Sequence, residues 1–401
     1  MLSNSPTKLI LVLLSLSLAT PALALDVTPS VRVRNSVVVR EAPLSASPKV
    51  ANFLPGQRAM VEEDVAGWYR VSLSGGLRGF VSKRWVDLVE ANTAEVVQRS
   101  FELHVIDVGI GDGIILDMGD REILIDGGMN SSSMKDYVEQ EKLIDGPIEL
   151  AIVTHADMDH WKGMSALLFP PNGSRPYQVM EFWEPGYDRG CRPFPDYDKF
   201  VGKVRSLVPA GGFLRPLEAA RSPDDATLAA APFTVASLPG VTFRLLHSQA
   251  TPTANDCGYQ INNASIVLSV EVGGLKLLLT GDANGKPRKG DPTAAPTDVE
   301  ELLLQLEAAH PGTLKADILK VPHHGSETAN TADFIAAVAP DFALISASTN
   351  HHLPRGTVVN RYELAGATVL RTDAHRERDV DHIICKGDGA GAVVCNYADQ
   401  F

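Results

Sequence analysis

Thr154-His155-Ala156-Asp157-Met158-Asp159-His160-Trp161-Lys162-Gly163 follows directly on the apolar run Leu150 to Val153. The run reads as a short buried strand, and Met164 to Phe169 after it suit the start of a helix. Two histidines and two aspartates therefore share one loop at the end of a buried strand. Imidazole and carboxylate oxygen are the ligands a borderline divalent cation such as zinc takes. A loop lets neighbouring side chains turn to one point, whereas side chains along a strand alternate between faces. His155, Asp157, Asp159 and His160 are the candidate ligands here.

Outward from this loop the same arrangement recurs. Apolar runs end in polar loops at Asp107, Asp126, His247, Asp282, His323-His324 and Asn350-His351-His352. Strand-end loops of a layered α/β fold gather at one edge of the sheets, so these distant residues can build one site. Seven of the eleven histidines fall at such positions. Helices are expected over 133–143, 196–207, 297–310 and 332–338. Ser265 to Val270 and Leu275 to Leu279 read as a hairpin across Gly273-Gly274. Ala219 to Ala231 reads as a surface insertion.

The chain has 401 residues, enough for two domains, with 44% hydrophobic and 21% charged residues and a formal charge of −13. That charge argues against a broad basic surface for nonspecific nucleic-acid binding. Lys8, the apolar stretch Leu9 to Leu18 and Pro21-Ala22-Leu23-Ala24 read as a secretory signal over residues 1–24. A mostly apolar stretch of ten residues is too short to span a bilayer. An exported, periplasmic or extracellular protein without a membrane span is therefore expected. The four cysteines then suit disulfides. Cys385 and Cys395 flank the turn Gly387-Asp388-Gly389-Ala390-Gly391 and would face each other in a hairpin, leaving Cys191 for Cys257.

Residues 28–90 read as about five short strands, a small all-β barrel. The segments "VVVR" at 37–40, "GWYRV" at 67–71 and "GLRGFVSKRWV" at 76–86 resemble bacterial SH3-type domains. The resemblance implies a cell-wall peptide or a protein as partner. Trp68, Tyr69, Phe80 and Trp85 divide between core and surface, with two or three expected in the core.

Residues 100–401 resemble the metallo-β-lactamase fold, a four-layer αββα sandwich. Within it they are similar to the soluble hydrolase domain of ComEC, the competence-type DNA-internalisation family. The matching pieces, in the family's order, are "DVGIGDG" (107–113), "LIDGG" (124–128), "THADMDHWKG" (154–163), "NNASIVL" (262–268), "LLLTGDA" (277–283), "LKVPHHGS" (319–326) and "SASTNHHLP" (346–354). The resemblance implies His155, Asp157, Asp159, His160 and Asp282 as metal ligands, with one of His323 and His324 as the last. It makes Asp126 the aspartate that orients the metal loop. Asp107, His247, Asn263, Ser326, Asn350 and His351 are the further candidates around the site. Three departures stand out. Asp157 replaces a common histidine, Ile110 replaces a common glutamine, and Asn262-Asn263 occupy the region of a missing histidine, for which His247 is the nearest substitute.

One or two ions, zinc or manganese, would bring the pKa of water from about 15.7 toward about 7. Asp157 or Asp159 would orient the attacking water, and His352 or His351 would contact a phosphate or protonate the leaving oxygen. The expected function is an exported phosphodiesterase or nuclease acting on nucleic acid or another phosphodiester. Hydrolysis of an ester, a lactam or a cell-wall fragment is the alternative on the same scaffold. A non-catalytic wall-binding protein is the third reading.

Overall fold

The structure is a computed structural model. It describes residues 25–30, 33, 36–53, 59–73, 77–90, 99–173, 177–186, 191, 193, 195–208, 213–216, 232–235, 237–249, 256–287, 295–348, 352–375 and 381–401. The signal segment, the insertion at 219–231, Asn350 and His351 lie outside these residues.

The N-terminal sheet has seven strands: β1 (Leu25–Pro29), β2 (Val37–Arg40), β3 (Lys49–Phe53), β4 (Ala59–Val65), β5 (Trp68–Leu73), β6 (Arg78–Ser82) and β7 (Val86–Glu90). Their order is β3-β2-β6-β5-β4-β1-β7. Two strands more than expected appear, and the first begins at Leu25 rather than near residue 28. Alternation in β5 turns Tyr69, Val71 and Leu73 inward against Val27, Val39, Phe53 and Val81. Of the four aromatic residues singled out, only Tyr69 joins this core, fewer than expected. Trp68 and Phe80 are half-buried, and Trp85 is 45% exposed.

Two further sheets follow. The first contains β8 (Phe101–Val105), β9 (Gly113–Asp117), β10 (Glu122–Asp126), β11 (Ile148–Ile152), β12 (Val179–Glu184) and β13 (Phe213–Pro216). The second contains β14 (Phe233–Thr234), β15 (Val241–His247), β16 (Val267–Val272), β17 (Leu275–Leu279), β18 (Ile318–Lys320), β19 (Phe342–Ile345) and β20 (Thr368–Arg371). A final hairpin, β21 (Ile383–Gly387) and β22 (Val393–Tyr397), returns to the first sheet beside β8. The orders are β13-β12-β11-β10-β9-β8-β21-β22 and β14-β15-β16-β17-β18-β19-β20. β10, β11 and β12 run parallel, as do β17, β18, β19 and β20.

The two sheets bury their facing sides against each other. Leu103, Ile114, Leu116 and Ile123 meet Phe243, Leu268 and Leu277, and Trp183 packs edge-on against Phe243 with ring centroids 5.3 Å apart. Helices α1 (Ser133–Glu141), α2 (Met158–Leu168) and α3 (Pro195–Val204) cover the outer face of the first sheet. Past α4 (Cys257–Asn263), helices α5 (Asp298–Ala309), α6 (Ala332–Val338) and α7 (Gly356–Leu364) cover the second. With both faces covered, β10 and β11 are buried throughout, and Ile123 to Ile125 and Leu150 to Ile152 within them read as continuous apolar runs. This is the four-layer αββα order that the sequence implies.

Both expected disulfides form. Cys385 and Cys395 are direct cross-strand partners, and Cys191 bonds Cys257 at the start of α4. Among the described residues no helix is long and apolar enough to cross a membrane.

Candidate metal centre

The strands end where the chemistry lies. β10 terminates at Asp126, β11 leads through Thr154 to His155, β17 leads to Asp282, β18 to His323-His324, and β19 to Ser346. Helix α2 starts inside the quoted loop, with Asp157 as its N-cap. It approaches the β10 loop so closely that a Cβ on Gly163 would stand 1.8 Å from the Gly127 carbonyl oxygen. The glycine pair thereby brings His160, on the first turn of α2, over Asp126.

Asp126 is fully buried and holds a left-handed φ of 54°. It accepts the Thr154 N–H at 2.8 Å, the Thr154 hydroxyl at 2.7 Å and Nδ1 of His160 at 2.8 Å. The Thr154 hydroxyl oxygen also meets Nδ1 of His155 at 3.1 Å. His324 Nδ1 donates to the Ser346 carbonyl at 3.0 Å and lies 3.2 Å from Asp112. Each of the three rings is thus gripped at Nδ1 and presents Nε2 to a common point.

Asp282 stands at that point. Its carboxylate lies 3.9 Å from His155 Nε2, 3.5 Å from His160 Nε2 and 3.3 Å from His324 Nε2. Asp159 lies 3.9 Å from His324 Nε2. Asp282 Oδ1 and the three Nε2 atoms are buried and have no hydrogen-bond partner among the described residues. Such atoms carry a desolvation cost unless something satisfies them. Ligand atoms of His155, His160 and Asp282 lie within 4.8 Å of one another, and so do those of Asp159, His160 and His324. Nitrogen and carboxylate oxygen in this number fit zinc or manganese.

The electrostatics are those of a cation site. Burial works against the charged forms of His160 and His324. The Asp282 and Asp126 carboxylates outweigh it at His160 and hold its pKa well above the usual value. At His324, Asp282 and Asp112 outweigh it and hold the pKa at about 10. Burial, reinforced by His160, keeps His155 well below the usual range. Burial opposes the ionised form of Asp282, yet His324 and His160 hold it low.

His323 and His324 divide their work. Both take left-handed φ, 49° and 51°, so the turn points consecutive rings apart. His324 joins the cluster. His323 Nδ1 contacts Asn284 Oδ1 at 3.1 Å and the Thr328 hydroxyl at 2.9 Å, and its Nε2 lies 3.3 Å from the Asn262 amide and 3.9 Å from Asp282. Asp157 lines the adjoining cavity instead of joining a ligand cluster. His247, the substitute for the missing histidine, does not reach the cluster: its Nε2 sits 2.9 Å from the Asn263 carbonyl, which holds α4 against β15. Asn263 itself bonds Asn284 and Asp298. Asp107 accepts from the Gly109 N–H at 3.0 Å, away from the ligand cluster. Ser326 lines the cavity, and His352 is exposed with a φ of 54°.

Two residues escaped the sequence reading. Asp112 is buried between His324 and Lys320, 2.8 Å from the Lys320 ammonium, itself 2% exposed. The visible signal was a lysine inside the apolar run Ile318 to Val321. Lys320 and His324 hold Asp112 ionised although burial opposes it.

Residues 35–87 match the family model of the bacterial SH3 domain. The chain is 27% identical over 298 residues to ComE operon protein 3 of Bacillus subtilis, a match covering 68% of this chain and 32% of that protein. It is 25% identical over 300 residues to competence protein ComA of Neisseria gonorrhoeae, covering 74% and 33%. The four-layer αββα architecture of residues 101–401 is the one that the metallo-β-lactamase resemblance implied. The chain spans about a third of the length of the curated relatives it matches. Among solved structures, the metallo-β-lactamase-fold protein YhfI from Bacillus subtilis is 13% identical, with a TM-score of 0.40 over 68% of this chain and 97% of that one. The ligand cluster opens into a cavity of about 420 Å³ lined by Asp157, Asp159, Asn262, Ser326, Ser348 and Arg355, among others.

Proposed function

We propose that the chain is an exported, metal-dependent phosphodiesterase or nuclease. The observation that carries this reading is the set of four buried, unpartnered atoms, Nε2 of His155, His160 and His324 and Oδ1 of Asp282, in a cluster whose Asp282 and His324 line an open cavity. A zinc or manganese ion held there supplies Lewis acidity and lowers the pKa of water toward neutrality. The chain's own residues supply the rest. Asp126 and Thr154 orient His160 and His155, while Ser346 and Asp112 orient His324. Asp157 or Asp159, at the cavity wall, orients the attacking water. The competence-protein relatives support a phosphodiester over other substrates. Two disulfides, with no free cysteine among the described residues, support export.

A second reading keeps the centre and takes an ester, lactam or cell-wall fragment. The SH3-type match and the charge of −13 favour it. One experiment separates the two. Protein purified with manganese or zinc is expected to cleave single-stranded DNA or bis(p-nitrophenyl) phosphate, and Asp282→Ala to lose at least about 100-fold in kcat/KM. Metal-loaded protein that turns over esters or wall fragments and leaves every phosphodiester intact defeats the first reading.

A further inference from the structure

The cavity wall holds three carboxylates, Asp157, Asp159 and Asp282. Against them stands one permanently charged cation among the described lining residues, Arg355. Its guanidinium makes no hydrogen bond or ion pair among the described residues. Its backbone, in contrast, is firmly placed. The Arg355 N–H donates to the Gly325 carbonyl at 3.0 Å, one residue beyond His324. Gly325 has φ of +75°, and a Cβ there would come within 2.5 Å of the Pro354 ring, so the two segments touch backbone to ring. The helix that begins after Arg355 is tied to the same region. Thr357 and Arg361 both bond Glu327, and Arg361 donates to the Asn330 carbonyl at 2.7 Å. The Arg355 backbone is therefore held in fixed register with the ligand loop, and its exposed side chain lines the cavity.

An anionic substrate entering this cavity meets acidic walls, which repel it unless a cation is placed beside the reacting centre. Arginine suits that task because its planar fork donates two parallel hydrogen bonds to phosphate oxygens. We propose that Arg355 binds the non-reacting oxygens of a phosphodiester beside the metal centre and makes the site select charged over neutral substrates. The proposal rests on the phosphodiester reading above, and its test separates the two.

The probe is inorganic phosphate, titrated calorimetrically into the full-length, manganese-loaded protein and into its R355Q and R355K variants. R355Q is expected to weaken phosphate at least about 10-fold, the loss of a charge-assisted hydrogen bond. R355K is expected to fall between, because a point charge replaces a fork. Metal content and thermal melting stay at their wild-type values, which separates binding from folding. On bis(p-nitrophenyl) phosphate the same R355Q change appears mainly as a higher KM. Equal phosphate affinity in wild type and R355Q overturns the proposal even if the diester is cleaved, and so does wild-type protein that binds no phosphate. Arg355-dependent phosphate binding without any diester cleavage upholds the anion subsite and removes the phosphodiesterase reading instead.

Discussion

Asp126 receives His160 Nδ1 at 2.8 Å, across 34 residues of chain and inside a fully buried site. The same carboxylate receives the Thr154 N–H, so it sets both ends of the metal loop. Loss of an outer partner of this kind typically costs 10–100-fold in metal affinity. Asp126→Asn keeps the shape and removes the charge that turns the His160 ring. It is expected to weaken zinc or manganese binding by about 10–100-fold, read by competition with a chelator. Wild-type metal affinity in this variant would refute the orienting role.

The Asp112–Lys320 pair is buried on both sides, at 1% and 2% exposure. Removing Lys320 leaves Asp112 with only the His324 ring beside it in the core, and breaking a buried pair costs about 3–5 kcal/mol. Lys320→Met is expected to show that loss in chemical denaturation. The double variant D112N/K320M recovers much of it, since no buried charge remains unpaired. Additive losses in the double variant would show that the two groups act independently.

Gly163 and Gly127 let α2 pass over the β10 loop, and Met164 N would lie 2.1 Å from a Cβ on Gly127. The obstructing atoms are backbone and cannot swing aside. Gly163→Ala is expected to cost about 2 kcal/mol or more through overpacking. It also shifts His160, so metal affinity falls with stability. A variant that melts and binds metal like the wild type would show that the helix yields without strain.

Glu122 and two buried histidines contribute pH dependence of opposite sign to stability. Glu122 is buried, and burial together with the Glu149 carboxylate pushes its pKa from 4.5 up to about 8. Between those values the folded chain keeps a proton that the unfolded chain releases, so this group's contribution to stability falls as pH rises through the window and is gone above it. Glu122→Gln removes this titration. Its melting temperature is expected to exceed wild type by about 2–4 °C at pH 9, with no gain near pH 4.

Burial acts the other way on His104 and His382, lowering each from 6.5 to about 4. Here the unfolded chain binds the extra protons between pH 6.5 and 4, so stability falls as pH drops through that range. A melting curve of the Glu122→Gln variant is therefore expected to keep the acid-side loss. If it flattens on both sides, the assignment to separate groups fails.

Much of this was legible in local patterns. Continuous apolar runs marked the buried parallel strands, because a strand covered on both faces needs no alternation. Helix α6 appears over the residues expected, Ala332–Val338, and the hairpin of β16 and β17 turns at Gly273-Gly274 as read. Helix α4 did not show, since seven residues rich in Gly and Asn carry little helical propensity. It is held by tertiary contacts, including the Cys191 disulfide and the Asn263 bonds.

The amino-acid sequence alone determined which residue types could hold a cation and that they lie at strand ends, because ligand chemistry and hydrophobic period are local properties. Only the tertiary structure chose His324 over His323 for the cluster, turned His247 away, set Asp157 on the cavity wall, and paired Asp112 with Lys320. Those outcomes depend on backbone turns and on packing between segments far apart in the chain. No spacing in the sequence encodes them, because each follows from where two sheets meet.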